Sequence, residues 1–189
     1  MNATAPPAAA QLVWSVPVRL LHWTLALSMI ASFVTHEGGG TLHEWTGYVA
    51  LAAALVRVAM GLFGSGLWRF SGFVRGLRAT RDYALAVWQR REWHYVGHNP
   101  LGAWMVLALL ADAVATGFTG WLYTTDRFWG VAWVEELHGA LGHALLPLLA
   151  LHVAGVVFTS LRQRENLVAS MLHGRKRVES SANGSRAET

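Results

Sequence analysis

The chain contains no cysteine. That absence excludes disulfides, iron–sulfur clusters, thiolate zinc sites and thioether-linked c-type haem. Charge is scarce too. Asp, Glu, Lys and Arg make up 14% of the 189 residues, against about 25% in an ordinary soluble domain. So little charge excludes a disordered chain, a coiled coil and most soluble enzymes. What is abundant is apolar: 53% of residues are hydrophobic, and there are 10 tryptophans and 9 histidines. The length fits one domain.

A helix crossing a hydrocarbon core of ~30 Å at ~1.5 Å per residue needs about 20 mostly apolar residues. Four runs meet this requirement, at 14–35, 43–63, 101–123 and 138–161. The expected fold is therefore all-α, an integral membrane four-helix bundle, because a helix satisfies its own backbone groups in lipid. Residues 1–13 read as an N-terminal tail, 14–172 as the bundle and 173–189 as a disordered polar tail. The glycine-rich turn 36–42 forces the first two helices into an antiparallel hairpin. The loop 64–100 carries an apolar stripe (Phe70, Phe73, Leu77, Leu85, Val87, Trp88). It reads as an amphipathic helix on the membrane surface, or else as a solvated linker. Residues 124–137 place Trp129 and Trp133 at an interface, as an aromatic belt does.

All but one of the 15 Lys and Arg residues fall on one side of this topology, from Arg19 and Arg57 through the 64–100 loop to Arg162 and the C-terminal segment. The other side holds Arg127 together with Glu37, Glu44, Asp126, Glu135 and Glu136. The positive-inside rule puts both termini and the 64–100 loop in the cytoplasm. The pI of about 10.1 thus records membrane topology, and nucleic acid is not an expected partner. The N-terminus has no basic n-region, so no cleaved signal peptide is expected.

Ionisable residues within membrane helices are costly and are functional candidates. His138 and His152 are 14 residues apart on the fourth span, which is ~21 Å of rise and within ~40° of the same face. His22 lies at the depth of His152, and His43 opens the second span at the depth of His138. Four histidines make two pairs at two depths. A b-type haem needs two neutral imidazoles on opposite faces of its iron, and helix bundles hold cofactors between facing helices. His36 competes with His43 for the outer position, but it precedes the glycine turn. His143 points ~140° away from His138 and reads as a packing or lipid-interface residue. His94, His98 and His173 lie in polar segments and read as exposed, although His98 stands apart from the other two because GHNP opens the third span. Asn99, ahead of Pro100, reads as the cap of the third span.

Arg57 is 14 residues after His43 and is a candidate partner for a haem propionate, or a side chain snorkelling to lipid phosphate. Arg19, one turn before His22, is a weaker candidate of the same kind. Asp112, at the middle of the third span, reads as a proton-relay or quinone-site residue or as a buried structural hydrogen bond. Gly47, Gly139, Gly142 and Gly155 either admit a bulky macrocycle or pack helices together.

At VWSVPVRLLHW (13–23), LHEWTGY (42–48), Arg57, GHNPLG (97–102) and LHGALGHALLPLLALHV (137–153) the chain resembles the bacterial cytochrome b561 family. That family includes the b-type cytochrome subunits of nickel–iron hydrogenases. The resemblance implies a four-helix membrane bundle with two b haems that passes electrons between quinone and a partner. It implies that His22 and His152 hold the cytoplasmic-side haem, and His43 and His138 the periplasmic-side one. Lipid, a quinone (ubiquinone or menaquinone) and a periplasmic redox protein, either a cytochrome or a hydrogenase, are the implied partners. The implied location is the bacterial inner membrane. Some hydrogenase-associated members have a fifth span; none is visible here, which favours a shorter branch. The expected role is electron transfer, alone or as a subunit of a quinone-linked oxidoreductase. The alternative class is a histidine-relay transporter or a non-redox membrane scaffold.

Overall fold

The computed structural model describes residues 10–37, 40–93, 95 and 97–177. Residues 1–9 and 178–189 of the two expected tails lie outside the described residues, as do Gly38, Gly39, His94 and Val96. In chain order the elements are β1 (Ala10–Leu12), α1 (Val16–Val34), α2 (Thr41–Phe63), a 3-10 turn (Gly66–Trp68), α3 (Phe70–Phe73), α4 (Leu77–Trp88), α5 (Pro100–Tyr123), α6 (Ala132–Gln163), α7 (Leu167–His173) and β2 (Arg175–Arg177). Four of these helices, α1, α2, α5 and α6, are long and apolar enough to cross a membrane.

Local chemistry accounts for where the spans start and stop. The Asn99 side chain accepts from the Gly102 amide at 2.8 Å, and Pro100 occupies the first helical position, where no amide is needed. Pro17 likewise sits in the first turn of α1. α6 is longer than its apolar run implies: it has 32 residues, or ~48 Å of rise. The extra turns, 132–137, carry Trp133, Glu135 and Glu136, residue types suited to a membrane interface rather than to hydrocarbon. Pro147 lies inside α6 without ending it, which a membrane helix tolerates when neighbouring groups re-satisfy the backbone.

α1 packs on α2, α5 on α6, and α2 on α5, so the two hairpins join through their inner helices. Small residues make that seam possible. Ala54, Leu110 and Ala113 form its buried centre, with Leu25, Met29 and Val106 packed against them. A methyl group on Gly117 would come 2.8 Å from Leu51 Cβ, so only glycine lets α5 lie this close to α2. Large apolar side chains such as Leu27, Val34, Phe63, Leu151 and Phe158 face outward. On a soluble protein these would be an aggregation surface; on a membrane bundle they meet acyl chains.

The end that carries β1 and β2 is built from segments far apart in sequence. β1 and β2, expected to belong to the tails, pair as an antiparallel ribbon with Leu12 opposite Arg175. The Gly174 carbonyl accepts from the amides of Val13 and Trp14 at 2.9 and 3.0 Å. Trp23 Nε1 donates to the Met171 carbonyl at 3.2 Å, and Arg19 donates to the Leu172 carbonyl. Gly174 has φ +82°, and a Cβ there would meet the Trp14 carbonyl oxygen at 2.6 Å. Both constraints reserve the position for glycine.

In the 64–100 loop the apolar stripe is split: Phe70 and Phe73 lie on α3, while Leu77, Leu85, Val87 and Trp88 lie on α4, which buries Tyr83 and Ala86 and leaves Leu77, Leu85 and Trp88 exposed. Arg162, at the end of α6, holds this loop by a forked contact to Glu92, with Nε to Oε1 at 2.8 Å and Nη2 to Oε2 at 2.6 Å. Burial, with the Glu92 carboxylate and Tyr95 nearby, pushes the Tyr83 phenol up to about 12. A raised phenol pKa means the folded state keeps a proton that the unfolded state releases near pH 10. Stability is therefore expected to be unaffected by Tyr83 below about pH 10 and to fall as pH rises from about 10 to 12. Tyr83→Phe should remove that part of the alkaline loss, as thermal melts across this pH range would read.

Candidate functional site

α6 supplies one imidazole to each of two pairs. His152 faces His22 of α1, with ring centroids 6.4 Å apart and planes 50° from parallel. His138 faces His43 of α2, with centroids 5.9 Å apart and planes at 88°. The pairs are separated by 14 residues of α6, or ~21 Å along its axis. The His22–His152 pair lies toward the end that carries β1, β2, α3 and α4, here the basic end. The His43–His138 pair lies toward the opposite, acidic end.

The pair at the acidic end is oriented by backbone carbonyls. His43 Nδ1 donates to the Ser32 carbonyl at 2.8 Å, and His138 Nδ1 donates to the Thr116 carbonyl at 3.0 Å. The hydroxyls of Ser32 and Thr119 lie 3.2 Å from the same two nitrogens. An Nδ1–H donated to a carbonyl fixes the tautomer and leaves Nε2 with its lone pair free. Gly120 backs His138 so closely that a methyl group there would come 2.9 Å from the ring Cε1. The exposed His36 is not part of this arrangement. Its ring stacks on Phe33 and bonds the Phe33 carbonyl at 2.6 Å, at the frayed end of its own helix.

The pair at the basic end opens on a cavity of ≈ 310 Å³. α1 forms one wall, from Val18 to Val34, while Leu145, Leu149 and His152 of α6 form part of the opposite wall. α1 and α6 are thus held apart where the other neighbouring spans pack, and the space between them is lined almost wholly by carbon. Arg57, His22, His98 and His152 are its charged or titratable lining residues. Arg57 is buried, donates to the Trp68 carbonyl at 3.3 Å and lies over the Phe70 ring at 5.3 Å, so it does not reach out to lipid. Arg19 does not line the cavity; its guanidinium is tied to the C-terminal segment at Leu172.

Several expectations need correction. His98, expected as an exposed residue, lies between Trp14 and Phe73, with ring centroids at 4.9 and 4.8 Å, and lines the cavity. Burial, followed by the positive charges of Arg57 and Lys176, pushes its pKa down to about 3. His98 is therefore neutral at physiological pH. GHNP places His98 directly before the Asn99 cap, but the rings that enclose it, Trp14 and Phe73, come from other segments and are not indicated by that motif. Of the glycines singled out, Gly139, Gly142 and Gly155 have open space where a Cβ would be and Gly47 meets only Ser32 Oγ at 3.7 Å, so they do not pack helices tightly; within the long spans the close approaches are at Gly61, Gly117 and Gly120. His143 and His173 are exposed, with ring nitrogens engaged by the Gly139 carbonyl and the Arg175 amide respectively. Asp112 is buried outside the cavity lining, and its Oδ2 has no hydrogen-bond partner among the described residues.

Two imidazoles about 6 Å apart have a definite chemical meaning. A metal–nitrogen bond of about 2 Å on each side of one ion puts the ring centroids roughly 6 Å apart. Both pairs have that spacing. A protein-family model described as prokaryotic cytochrome b561 matches residues 13–174. The chain belongs to the prokaryotic cytochrome b561 family. It is a multi-pass membrane electron-transfer protein of the haem b type. The residues present fit that group: imidazoles in facing pairs, an apolar cavity and no cysteine for covalent attachment.

Curated relatives carry the description probable Ni/Fe-hydrogenase B-type cytochrome subunit. The one from Azotobacter vinelandii is 26% identical, over 86% of each chain. Those from Azotobacter chroococcum and Cupriavidus necator are 28% and 24% identical, the first over 67% of this chain and 65% of its own, the second over 87% and 86%. The hydrogenase-associated branch is thus well represented among the relatives of this b561 chain, although the described residues contain four candidate spans and the expectation had favoured a shorter branch. No solved structure matches the chain.

Proposed function

We propose that the chain is a dihaem cytochrome b of the bacterial inner membrane, with both termini in the cytoplasm, passing electrons between the quinone pool and a redox protein at the periplasmic face. The observation that carries this reading is the pairing of α6 with two different helices at two depths, His152 with His22 and His138 with His43. Haem b supplies reversible one-electron chemistry at its iron. The chain's own residues hold it. The two imidazoles of each pair would both ligate its iron, and such bis-histidine ligation favours electron transfer over dioxygen binding. Thr116 and Ser32 fix the ring orientations of His138 and His43 through their carbonyls. Arg57 brings a positive charge to the cavity beside the inner pair, where a propionate would otherwise be an uncompensated buried anion.

The positive-inside distribution supports the orientation. The acidic end, with Glu37, Glu44, Asp126, Glu135 and Glu136, would then face the periplasm and the redox partner. The descriptions of the relatives support a hydrogenase as that partner, and a soluble cytochrome is the other candidate. The chain purified in detergent should show reduced b-type absorbance bands and two haems per chain by pyridine haemochrome assay. A folded, colourless protein would overturn the reading and leave a histidine relay as its replacement.

A further inference from the structure

His98 is a third imidazole at the inner cavity, and the function proposed above leaves it without a role. It precedes Asn99, the cap of α5, and its ring is wedged between Trp14 from the N-terminal segment and Phe73 from α3. The rotamer is therefore set by three segments at once. The ring reaches the same cavity as His22, His152 and Arg57. Its Nδ1 is buried and has no hydrogen-bond partner among the described residues. An unpaired buried polar atom costs about 1–3 kcal/mol, so a site that keeps one is explained by a partner that arrives with the ligand.

Two further observations define that partner's chemistry. The surroundings offer donors: Arg57 shares the cavity, and Trp14, whose Nε1 is buried without a partner among the described residues, packs its ring against His98. Lys176 is buried too, with its ammonium 5.8 Å from the Trp14 ring centroid and Glu165 as its acidic neighbour. Such a setting receives an anion. His98 is also unsuited to be an iron ligand, because His22 and His152 already face each other at the spacing that two axial positions require.

We infer that His98 is a positioning residue for the inner haem, donating its ring N–H to a propionate at the haem edge beside Arg57 while binding no iron. This rests on the inner haem proposed above. The pair Arg57 and His98 would turn the carboxylate edge toward the basic end and the apolar edge into the bundle. The interaction also biases the redox equilibrium. A donor at the propionate offsets negative charge near the iron, so its loss favours the more positive ferric form.

The test uses the full chain in detergent, with His98→Gln, which keeps an N–H donor, and His98→Leu, which keeps only bulk. Haem content and potentiometric titration of both b haems are read for each. Both variants should retain two haems per chain. His98→Gln should titrate close to the unaltered protein. His98→Leu should shift the redox equilibrium of one haem threefold to tenfold toward ferric, about 30–60 mV to lower potential for one electron. Equal potentials in His98→Leu and the unaltered chain would overturn the inference while leaving the dihaem reading intact. Loss of a haem in His98→Gln would overturn it in favour of an axial or scaffold role. An unaltered chain without the inner haem would overturn the dihaem reading and this inference together.

Discussion

Alanine in place of His138 is expected to leave one haem per chain instead of two, with the bundle still inserted and the inner haem still reducible. The imidazole at this position faces His43 at 5.9 Å, and the Thr116 carbonyl directs its Nδ1 away from the partner ring. The flanking groups on α6 are Leu137 and Gly139, neither of which is an iron ligand. With one axial nitrogen gone, retention would depend on His43 alone. His152→Ala is expected to give the converse result, loss of the inner haem and retention of the outer. His36→Ala is the discriminating control. It should keep both haems, because that ring is held at the end of its own helix by the Phe33 carbonyl. Loss of the outer haem in His36→Ala, and not in His43→Ala, would reassign the site.

Gly120→Ala should produce a similar loss without touching any ligand. The added methyl group would lie 2.9 Å from His138 Cε1 and 3.3 Å from Nδ1. Cε1 is bonded to Nε2, so pressure there moves the ligating nitrogen itself. The ring cannot swing freely, because its Nδ1 is bonded to Thr116 and lies 3.2 Å from the Thr119 hydroxyl. Disturbing groups that orient a metal-binding histidine costs about 10–100-fold in affinity. The outer haem is therefore expected to be depleted in Gly120→Ala purified by long washing, and to be recovered in part by added haemin. Gly76→Ala, where a Cβ meets open space at the start of α4, should keep two haems. Full outer-haem content in Gly120→Ala after the same washing would show that the His138 ring has room to yield.

Membrane residence and the number of spans were legible in the sequence, because both depend on run length and composition against a fixed hydrocarbon thickness. The resemblance to cytochrome b561 was legible for a related reason: its motifs are local, and the family match covers the same stretch. The Asn99–Pro100 start of α5 was legible as well, since capping involves neighbours in sequence. The spacing of His138 and His152 placed both on one face of one helix. Helical periodicity says which residues share a face, but it does not say which face another helix presents to it.

Everything that depends on faces meeting was decided by the tertiary structure. Nothing in the sequence singles out Gly120; its role follows from α6 bringing His138 against it. His98 read as exposed because its neighbours are polar in sequence, whereas Trp14 and Phe73 enclose it in space. The ribbon of β1 and β2 joins segments at opposite ends of the chain, and the contact of Arg19 with Leu172 spans 153 residues. No local pattern encodes such a pairing. By itself, then, the sequence determined a four-span apolar chain with histidines at two depths, because helix rise and bilayer thickness are constants. The tertiary structure alone decided which imidazoles face each other, and that α1 and α6 stand apart with a cavity between them, because packing is a relation between surfaces.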